Sequence, residues 1–544
     1  MLGGNAMTNN ADVVTTAGRV RGNSEIAGRS GRTISVFRGV PYAAPPLGAL
    51  RFNSPRPPDP WTGIRETTEA APSPMQSTNN PFSGVIPGNL VDAVSEDCLT
   101  VDIWSSAKPG ENLPVLVWVY GGAYLTGGSS LVTYDGSTLA ADHGVVVVSV
   151  NYRLGALGFL WLDDERADAN CGLRDQLAAL QWIRDNVAAF GGDPFNVTVC
   201  GESAGAGSLL HLVTAPGAAE LLRRCILQSP GVDHTLRPDQ ASRVTDIFLS
   251  HVGVHRGELG RLWDLPAEAI VEAQETTLLE TLLTVSSMPF HPVVDGRFLV
   301  ATPSVAFANG AAADIDLLVS WTADEMRLYP NTAANEAGME GITGWVQHYL
   351  TGRSGTDPGW DRARQLVAFY ENSMAGTGHS TPADIYAAIQ TDGVMRLPAR
   401  RIADAHAASG QGATYVAQFS WGAHVAGESW ERGAFHAIDL PFTFGTLDRA
   451  GWAEFLGAGP DAEQLAQWHM AAWSSFASSG DPGAPFAHGP SGAPGPWPRY
   501  DAQRRTTMIL DTECKVRADP LSAAAGAWDG LWSADSRAPS LGVG

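Results

Sequence analysis

Three short runs of apolar, mostly β-branched residues constrain the fold more than any other feature of the chain. They read VLVWVY at 115–120, VVVVSV at 145–150 and VTVC at 197–200, and turn residues bound each of them. Strands that are apolar on both faces are typical of a parallel sheet covered by helices on each side. Between the second and third runs, 172–190 has apolar residues at helical spacing and is followed by a glycine. This alternation predicts an α/β fold with a mostly parallel, doubly wound sheet.

The length of 544 residues leaves room for a large core with insertions. We expect a flexible segment at 1–18, a single α/β domain at 19–533 and a loose tail at 534–544. Within that domain, 236–290 and 345–410 are rich in helical patterns, which suggests insertions that build a pocket wall over the sheet.

Charge and cysteine usage exclude several classes of protein. The formal net charge is −22 and Lys occurs only at Lys108 and Lys515, so a nucleic-acid or anionic-membrane partner is not expected. Five scattered cysteines without a C-x-x-C motif fit neither a disulfide scaffold nor a zinc knuckle, and an odd number leaves a free thiol. The first residues lack the apolar stretch of a signal peptide, and the apolar runs are too short to span a bilayer. We therefore expect a cytoplasmic protein.

The sequence GESAG at 201–205 has the form of a nucleophile elbow. The buried strand NVTVC enters it and the helical pattern AGSLLHLV leaves it, so the turn at Ser203 is sharp. Glycine is needed at Gly201 and Gly205 because a side chain there would crowd the helix against the strand. This context makes a serine nucleophile the majority interpretation over a simple glycine-rich turn.

A serine hydroxyl needs a base to remove its proton and an acid to orient that base. In this fold the three residues follow the order Ser, acid, His, but most of the 13 histidines follow Ser203. The strand-end sequence TADE offers Asp324 and Glu325 as acids, and the residues alone do not choose between them. His436 precedes an apolar run and is the best candidate base; a helix cap and a core histidine are the alternative roles.

Acyl transfer also requires backbone N–H donors for a developing oxyanion. Ala204, directly after the serine, is one candidate. The glycine-rich loop YGGAY after the first apolar run supplies two more, Gly122 and Ala123. A plain β-turn is the alternative interpretation of that loop.

Two other motifs are weaker. Ser105 and Lys108 match S-x-x-K, but a turn follows them where that chemistry needs a helix. His251 and His255 have a zinc-compatible spacing, but no glutamate follows the first histidine. A surface histidine pair is the better interpretation.

With these motifs in order, the sequence resembles the type B carboxylesterase family of α/β-hydrolases. The resemblance rests on FRGVPYAAPPLGALRF at 37–52, EDCLTVDIW at 96–104, NYRLGALGF at 151–159, the GESAG elbow and FHAIDLPFTFG at 435–445. It runs in family order from about Arg19 to the end of the chain. The windows WTADE and HAIDLPFTFGTLD look closest to bacterial members that include carbamate-herbicide hydrolases.

The resemblance implies the catalytic residues. It makes Ser203 the nucleophile, Glu325 the acid and His436 the base, and so it selects Glu325 over Asp324. It implies that 19–533 is a catalytic domain.

The resemblance also implies the surroundings of the triad. Gly122, Ala123 and Ala204 become the oxyanion donors, and Glu202 and Ser229 form a polar layer behind the triad. Two structural ion pairs of the family correspond here to Arg51–Glu96 and Arg153–Asp175.

Departures from the family narrow the prediction. Met75 stands where many relatives have the disulfide partner of the cysteine equivalent to Cys98, so Cys98 should be a free thiol. The loop from Met75 to Glu96 contains no tryptophan, which removes the platform that holds choline in cholinesterases. Ala123 replaces a glycine and narrows the pocket slightly, and Met326 replaces the glycine usual after the acid.

The predicted function is hydrolysis of small-molecule carboxylic esters through an acyl-enzyme, with no metal and no organic cofactor. An aryl carbamate or amide hydrolase with the same triad is the main alternative. A non-catalytic binding protein of the same fold is remote, because such relatives usually lose the nucleophile.

Overall fold

The structure is a computed structural model that describes residues 11–77, 86–108, 110–232, 234–281, 285–286, 288–329, 331–354, 356–423, 433–449, 451–483 and 496–531. The predicted tail 534–544 and the first ten residues of the predicted flexible segment 1–18 lie outside these ranges. That segment also contains the strand Ala11–Val14, which pairs antiparallel with 19–22. The expected flexibility does not apply to this strand, because its backbone groups that face residues 19–22 are hydrogen-bonded in the sheet ladder.

The strands of the described residues are numbered in chain order. They are β1 Ala11–Val14, β2 Arg19–Ala27, β3 Arg32–Pro41, β4 Ile64–Glu66, β5 Ser73–Pro74, β6 Val94–Ser95, β7 Thr100–Ser105, β8 Leu113–Val119, β9 Val146–Val150, β10 Gly192–Glu202, β11 Arg224–Gln228, β12 Asp316–Thr322, β13 Thr414–Phe419, β14 Thr506–Leu510 and β15 Lys515–Ala518.

The α-helices of the same residues are α1 Ser137–His143, α2 Gly155–Phe159, α3 Cys171–Asn186, α4 Ala204–Leu212, α5 Pro238–Val252, α6 Ala267–Thr281, α7 Pro303–Ala308, α8 Ala333–Ser354, α9 Trp360–Met374, α10 Pro382–Gln390, α11 Leu397–Ser409, α12 Leu440–Phe444, α13 Trp452–Leu456, α14 Pro460–Ser479 and α15 Ser522–Ala527. A π-helical turn, Thr391–Arg396, joins α10 to α11. None of the helices in the described part of the chain has the length and hydropathy of a transmembrane span.

The predicted α/β architecture is confirmed. The described residues form a 13-stranded sheet with the order β1-β2-β3-β7-β9-β8-β10-β11-β12-β13-β14-β15, and β4 pairs with β2. The strands from β9 to β14 in this order run parallel, and antiparallel strands extend both edges. Because parallel strands share a direction, their carboxyl ends meet along one edge, where ligands bind in open α/β sheets.

The three apolar runs that predicted the fold are the adjacent strands β8, β9 and β10, with β8 in the middle. Their residues are almost completely buried because helices cover both faces of the sheet. The helix predicted between them is α3, which a short 3₁₀ turn extends to Gly191 at φ 84°. The two regions expected to carry helical insertions contain α5 and α6, and α9 to α11.

Both predicted ion pairs are present. Arg153 makes two charge-assisted hydrogen bonds to Asp175, at 2.6 and 2.8 Å, and both side chains are almost fully buried. Arg51 pairs with Glu96 at 2.6 and 2.7 Å. Cys98, between the two pairs, is an unpaired, buried thiol as predicted.

We expect Asp175→Asn to destabilise the protein by about 3–5 kcal/mol, because it leaves the Arg153 guanidinium buried without a counter-charge. Urea unfolding would measure the loss. Glu258→Gln is a matched control that breaks the exposed Arg261–Glu258 pair, and it should change stability by less than about 1 kcal/mol. Equal effects of the two substitutions would contradict the prediction.

Candidate active site

Ser203 lies at a strained turn between β10 and α4, with φ 54° and ψ −121°. A non-glycine residue rarely adopts this conformation and does so mainly at functional sites. The flanking glycines allow the helix to approach the sheet: a Cβ on Gly205 would lie 2.1 Å from the Val119 carbonyl oxygen, and one on Gly201 would lie 2.8 Å from the backbone of Gly205. Any side chain at Gly205 would therefore push α4 off β8 and open the turn.

The loop after β8 follows an unusual backbone path beside Ser203. Gly122, Ala123 and Tyr124 all have positive φ, at 99°, 55° and 62°. Within the part of the chain that the structure describes, the N–H groups of Gly122, Ala123 and Ala204 donate no hydrogen bond to the protein. Unpaired backbone donors are rare in a folded core, so these three are available to an acceptor from outside.

Glu325 and His436 form a short, buried hydrogen bond. The His436 Nδ1 atom lies 2.6 Å from the Glu325 Oε2 atom, and both side chains are nearly inaccessible to solvent. The other carboxylate oxygen of Glu325 accepts from the Ser229 hydroxyl at 2.7 Å and from the Thr322 N–H at 2.8 Å. These three bonds fix the orientation of the carboxylate. Glu325, His436 and Ser229, singled out in the sequence, are thus brought together.

Backbone hydrogen bonds join the loop that carries the acid to the loop that carries the histidine. The His436 N–H donates to the Glu325 carbonyl at 3.0 Å, and the Asp324 N–H donates to the Ala434 carbonyl at 2.9 Å. The Asp324 carboxylate accepts from the Ala434 N–H at 3.0 Å. Of the two adjacent acids, Glu325 therefore contacts the imidazole and Asp324 holds the backbone of the histidine loop.

Glu202 lies closer to the imidazole than the sequence indicates. Its Oε1 atom is 3.1 Å from His436 Nε2, on the ring side opposite Glu325. Burial raises the pKa of Glu202, against the opposing effect of His436. Burial also works to lower the pKa of His436, but the two carboxylates outweigh it and raise this pKa above its ordinary value of 6.5. The imidazolium is therefore stabilised from both sides.

Asp439 is a buried carboxylate that sequence analysis missed. Burial raises the pKa of Asp439 to about 6, although a 2.7 Å hydrogen bond from Gln228 works in the opposite direction. The negative charge of Asp439 also raises the pKa of His436. A carboxylate three residues after His436, inside an otherwise apolar run, is the signal that could have identified it.

A cavity of about 70 Å³ opens at Ser203. Ser203, Glu202, His436, Gly122 and Ala123 all line it. The remaining walls are mostly apolar or aromatic and come from Ile86, Asn89, Thr126, Tyr134, Leu328, Tyr329, Ala437 and Leu440. The nucleophile candidate, the imidazole and two residues with unpaired N–H groups thus line one cavity.

The two weaker motifs lie elsewhere. Ser105 ends strand β7 and its hydroxyl donates to the Phe190 carbonyl, so no helix aligns it with Lys108. His251 pairs with Glu280 at 3.0 Å. Among the described residues no cluster of three ligating side chains is arranged to hold a metal ion.

A strand-to-helix elbow at the carboxyl end of a central parallel strand, with the other polar groups on neighbouring strand-end loops, defines the α/β-hydrolase class. The comparisons with known proteins agree. Residues 9–528 match the Carboxylesterase family. The para-nitrobenzyl esterase of Bacillus subtilis (strain 168) is 34% identical over 518 residues, covering 94% of this chain and 96% of the relative. The phenmedipham hydrolase of Pseudarthrobacter oxydans is 35% identical over 484 residues, covering 86% and 90%.

Solved structures show the same relationship. A carboxylesterase of Geobacillus stearothermophilus has a TM-score of 0.81 at 34% identity and covers 95% of this chain and all of the solved one. A para-nitrobenzyl esterase structure has a TM-score of 0.78 at 32% identity, with 95% and 99% covered. The chain therefore belongs to the carboxylesterase family, as its sequence predicted, and is a serine hydrolase of carboxylic esters.

We expect Glu202→Gln to shift the acidic limb of the kcat/KM profile to lower pH. The Glu202 carboxylate stabilises the His436 imidazolium, so removing its charge lowers the pKa of His436 and extends the neutral, basic form to lower pH. The profile would be measured with an aryl acetate. Glu463→Gln removes one charge from an exposed site and should leave the limb in place. If the acidic limb of Glu202→Gln stays in place or moves to higher pH, the proposed stabilisation of the His436 imidazolium by Glu202 is contradicted.

Proposed function

We propose that Ser203, His436 and Glu325 are the catalytic triad of this esterase. The observation that carries the proposal is the 2.6 Å bond between His436 and Glu325 at the wall of the cavity onto which Ser203 opens. That bond holds Nδ1 and leaves Nε2 as the nitrogen able to accept a proton from the cavity. The order Ser, acid, His along the chain is the order of this fold.

The proposed oxyanion site consists of the N–H groups of Gly122, Ala123 and Ala204. Ala204 is the first residue of α4, so its N–H points out of the helix N-terminus, where negative charge is favoured. The positive φ values at Gly122 and Ala123 present the loop backbone to the cavity. Preformed donors of this kind are worth about 3–4 kcal/mol of transition-state stabilisation each.

The reaction then proceeds in two halves. Ser203 Oγ attacks the ester carbonyl while His436 Nε2 takes its proton, and the carbonyl oxygen becomes negatively charged in the oxyanion site. His436 next gives this proton to the leaving alcohol, which leaves an acyl group on Ser203. A water molecule, deprotonated by the same nitrogen, attacks the acyl carbonyl, and return of the proton to Ser203 releases the acid.

The charges around His436 fit its alternation between neutral and protonated forms. Glu325 stabilises the imidazolium at Nδ1, and Glu202 adds a second negative charge on the Nε2 side. Both act most strongly when the imidazole has taken the serine proton, which is when the transition state needs them. Ser229 supports this arrangement through Glu325.

The cavity supports small, uncharged esters as substrates. Apart from the catalytic groups its walls are mostly apolar or aromatic, with Asn89 and Thr126 as the polar exceptions, and its volume suits a short acyl or alcohol part. The carboxylates of Glu202, Glu325 and Asp439 surround one histidine, which disfavours an anionic substrate. The name of the Bacillus subtilis relative, a para-nitrobenzyl esterase, is consistent with an aryl or arylmethyl ester.

Hydrolysis of an aryl carbamate is the second candidate. The relative from Pseudarthrobacter oxydans is a phenmedipham hydrolase and aligns over most of this chain. The same triad would serve, but the carbamate nitrogen donates electrons into the carbonyl and slows both attack and release.

We further propose that the protein works in the cytoplasm. Support comes from its five cysteines, all buried and all unpaired, which is the state that a reducing compartment maintains.

We expect Ser203→Ala to abolish turnover of para-nitrophenyl acetate without loss of the fold. Loss of the nucleophile should lower kcat by about 10⁴-fold or more. Ser105→Ala is the matched control, because it removes the serine of the S-x-x-K motif and should retain wild-type activity. Near-normal turnover by purified Ser203→Ala would contradict the triad.

A matched series should separate the two candidate functions. With the same aryl ring throughout, we expect kcat/KM to fall from the aryl acetate to the aryl N-methylcarbamate, which both release a phenol, and further to the acetanilide, which releases an arylamine. All measurable activity should disappear in Ser203→Ala. A carbamate turned over faster than its matched ester would instead favour the second candidate.

A further inference from the structure

The helix between α10 and α11 widens into the π turn Thr391–Arg396, which packs against the loop that carries Glu325. The Thr391 Oγ1 atom accepts a hydrogen bond from the Met326 N–H at 3.1 Å. Arg396 Nη1 donates to the Ala323 carbonyl at 3.0 Å. Thr391 therefore binds the residue directly after Glu325, and Arg396 binds the residue two positions before it.

The π turn explains how two residues five positions apart can hold one loop. In an α-helix, side chains at i and i+5 point about 140° apart around the axis. A π turn closes its hydrogen bonds over five residues instead of four, so it is wider and brings such positions closer to one face. Turns of this kind are rare in proteins and are frequently found at functional sites.

A buried chain of hydrogen bonds fixes Arg396 in place. Asp392 Oδ1 accepts a hydrogen bond from Arg396 Nε at 2.7 Å and forms an ion pair with Arg396 Nη2 at the same distance. The Tyr370 hydroxyl donates to Asp392 Oδ2 at 2.5 Å, and the Trp528 indole N–H donates to the Tyr370 oxygen at 2.8 Å. Asp392, Tyr370 and Trp528 are almost completely buried.

The packing leaves no room for this chain to rearrange. A Cβ at Gly393, in the middle of the π turn, would lie 2.5 Å from the Trp528 ring. The indole therefore rests directly on the π-turn backbone as well as on Tyr370. The contacts run without a break from the residue after α15 to the loop of the catalytic acid.

We propose that Thr391 and Arg396 are positioning residues for Glu325, a role that rests on the proposed triad. Ser229 and Thr322 fix the carboxylate of Glu325, whereas the π turn fixes its main chain from both sides. The main chain matters because the Glu325 carbonyl also accepts the His436 N–H. A shift of this loop thus moves the acid and the base together, and misplacement of catalytic groups by about 1 Å lowers rates by up to 10²-fold.

The test compares Thr391→Val with Thr277→Val. Both threonines are buried, but the Thr277 hydroxyl donates to the Ala273 carbonyl within its own helix, α6, and not to the acid loop. The measurements are kcat and KM for para-nitrophenyl acetate, the pH profile of kcat/KM, the melting temperature, and the low-field proton resonance of the His436 Nδ1–H in the resting enzyme. Thr391→Ser keeps the hydroxyl and serves as the conservative rescue.

We expect Thr391→Val to lower kcat about tenfold with KM unchanged. The acidic limb of its pH profile should move to lower pH, because a looser Glu325 stabilises the His436 imidazolium less, and the low-field resonance should broaden or shift. Thr277→Val should lose a similar amount of thermal stability and keep kcat, profile and resonance. Thr391→Ser should restore all three.

Arg396→Lys keeps the charge beside Asp392 but loses the forked contact that reaches Ala323, so it should reproduce the kinetic and spectroscopic changes of Thr391→Val. Should Thr391→Val and Arg396→Lys only lower the melting temperature, with kcat, pH profile and resonance intact, the positioning role is refuted. Absence of ester hydrolysis in the unmodified protein would refute the proposed function instead, and the resonance, which needs no turnover, would still decide on the π turn.

Discussion

The close approach of α4 to strand β8 is the constraint on which the site depends. The Val119 carbonyl occupies the space where Gly205 would carry a Cβ, and this contact brings the helix N-terminus to the end of β8. Two sources of N–H donors, the start of the helix and the loop after the strand, are thereby placed around Ser203. The strain at Ser203, with φ 54°, is maintained because the buried sheet on one side and the helix on the other leave the turn no relaxed alternative.

Glu325 and His436 depend on a second constraint, which is carried by backbone hydrogen bonds and by the Asp324 side chain. Hydrogen bonds between 324–325 and 434–436 make one unit of two loops that are more than 100 residues apart in sequence. Within that unit the two adjacent acids make different contacts. Asp324 binds the backbone of the histidine loop, and Glu325 binds the imidazole of His436. The geometry of the proposed triad therefore depends on bonds that join two strand-end loops, and its members can come from separate parts of the chain.

The parts of this arrangement that the sequence predicts are those with a local signal. Parallel strands β8 to β10, helix α3 and the elbow at Ser203 follow from short apolar runs, helical spacing and two glycines. The choice between Asp324 and Glu325 needed the family resemblance, because the chain gives both the same local context. The contact of Glu202 with His436 Nε2 and the two bonds from the π turn were not predicted, because each joins elements that only the tertiary fold brings together. The N-terminal strands were also missed, since their exposed faces interrupt the apolar pattern.

The carboxylates around His436 are expected to lower the stability of the fold, and their placement is explained by the reaction. Glu202, Glu325 and Asp439 are buried against a single imidazole, and burial of charge without full pairing is unfavourable. Glu325 accepts three hydrogen bonds, whereas within the described residues Asp439 Oδ1 has no hydrogen-bond partner and Glu202 Oε1 has only its 3.1 Å contact with His436 Nε2. A purely structural core would replace such groups with apolar ones at little loss or with a gain in stability. Their position beside the histidine is therefore best explained by the protonated form of His436, which every one of these charges stabilises.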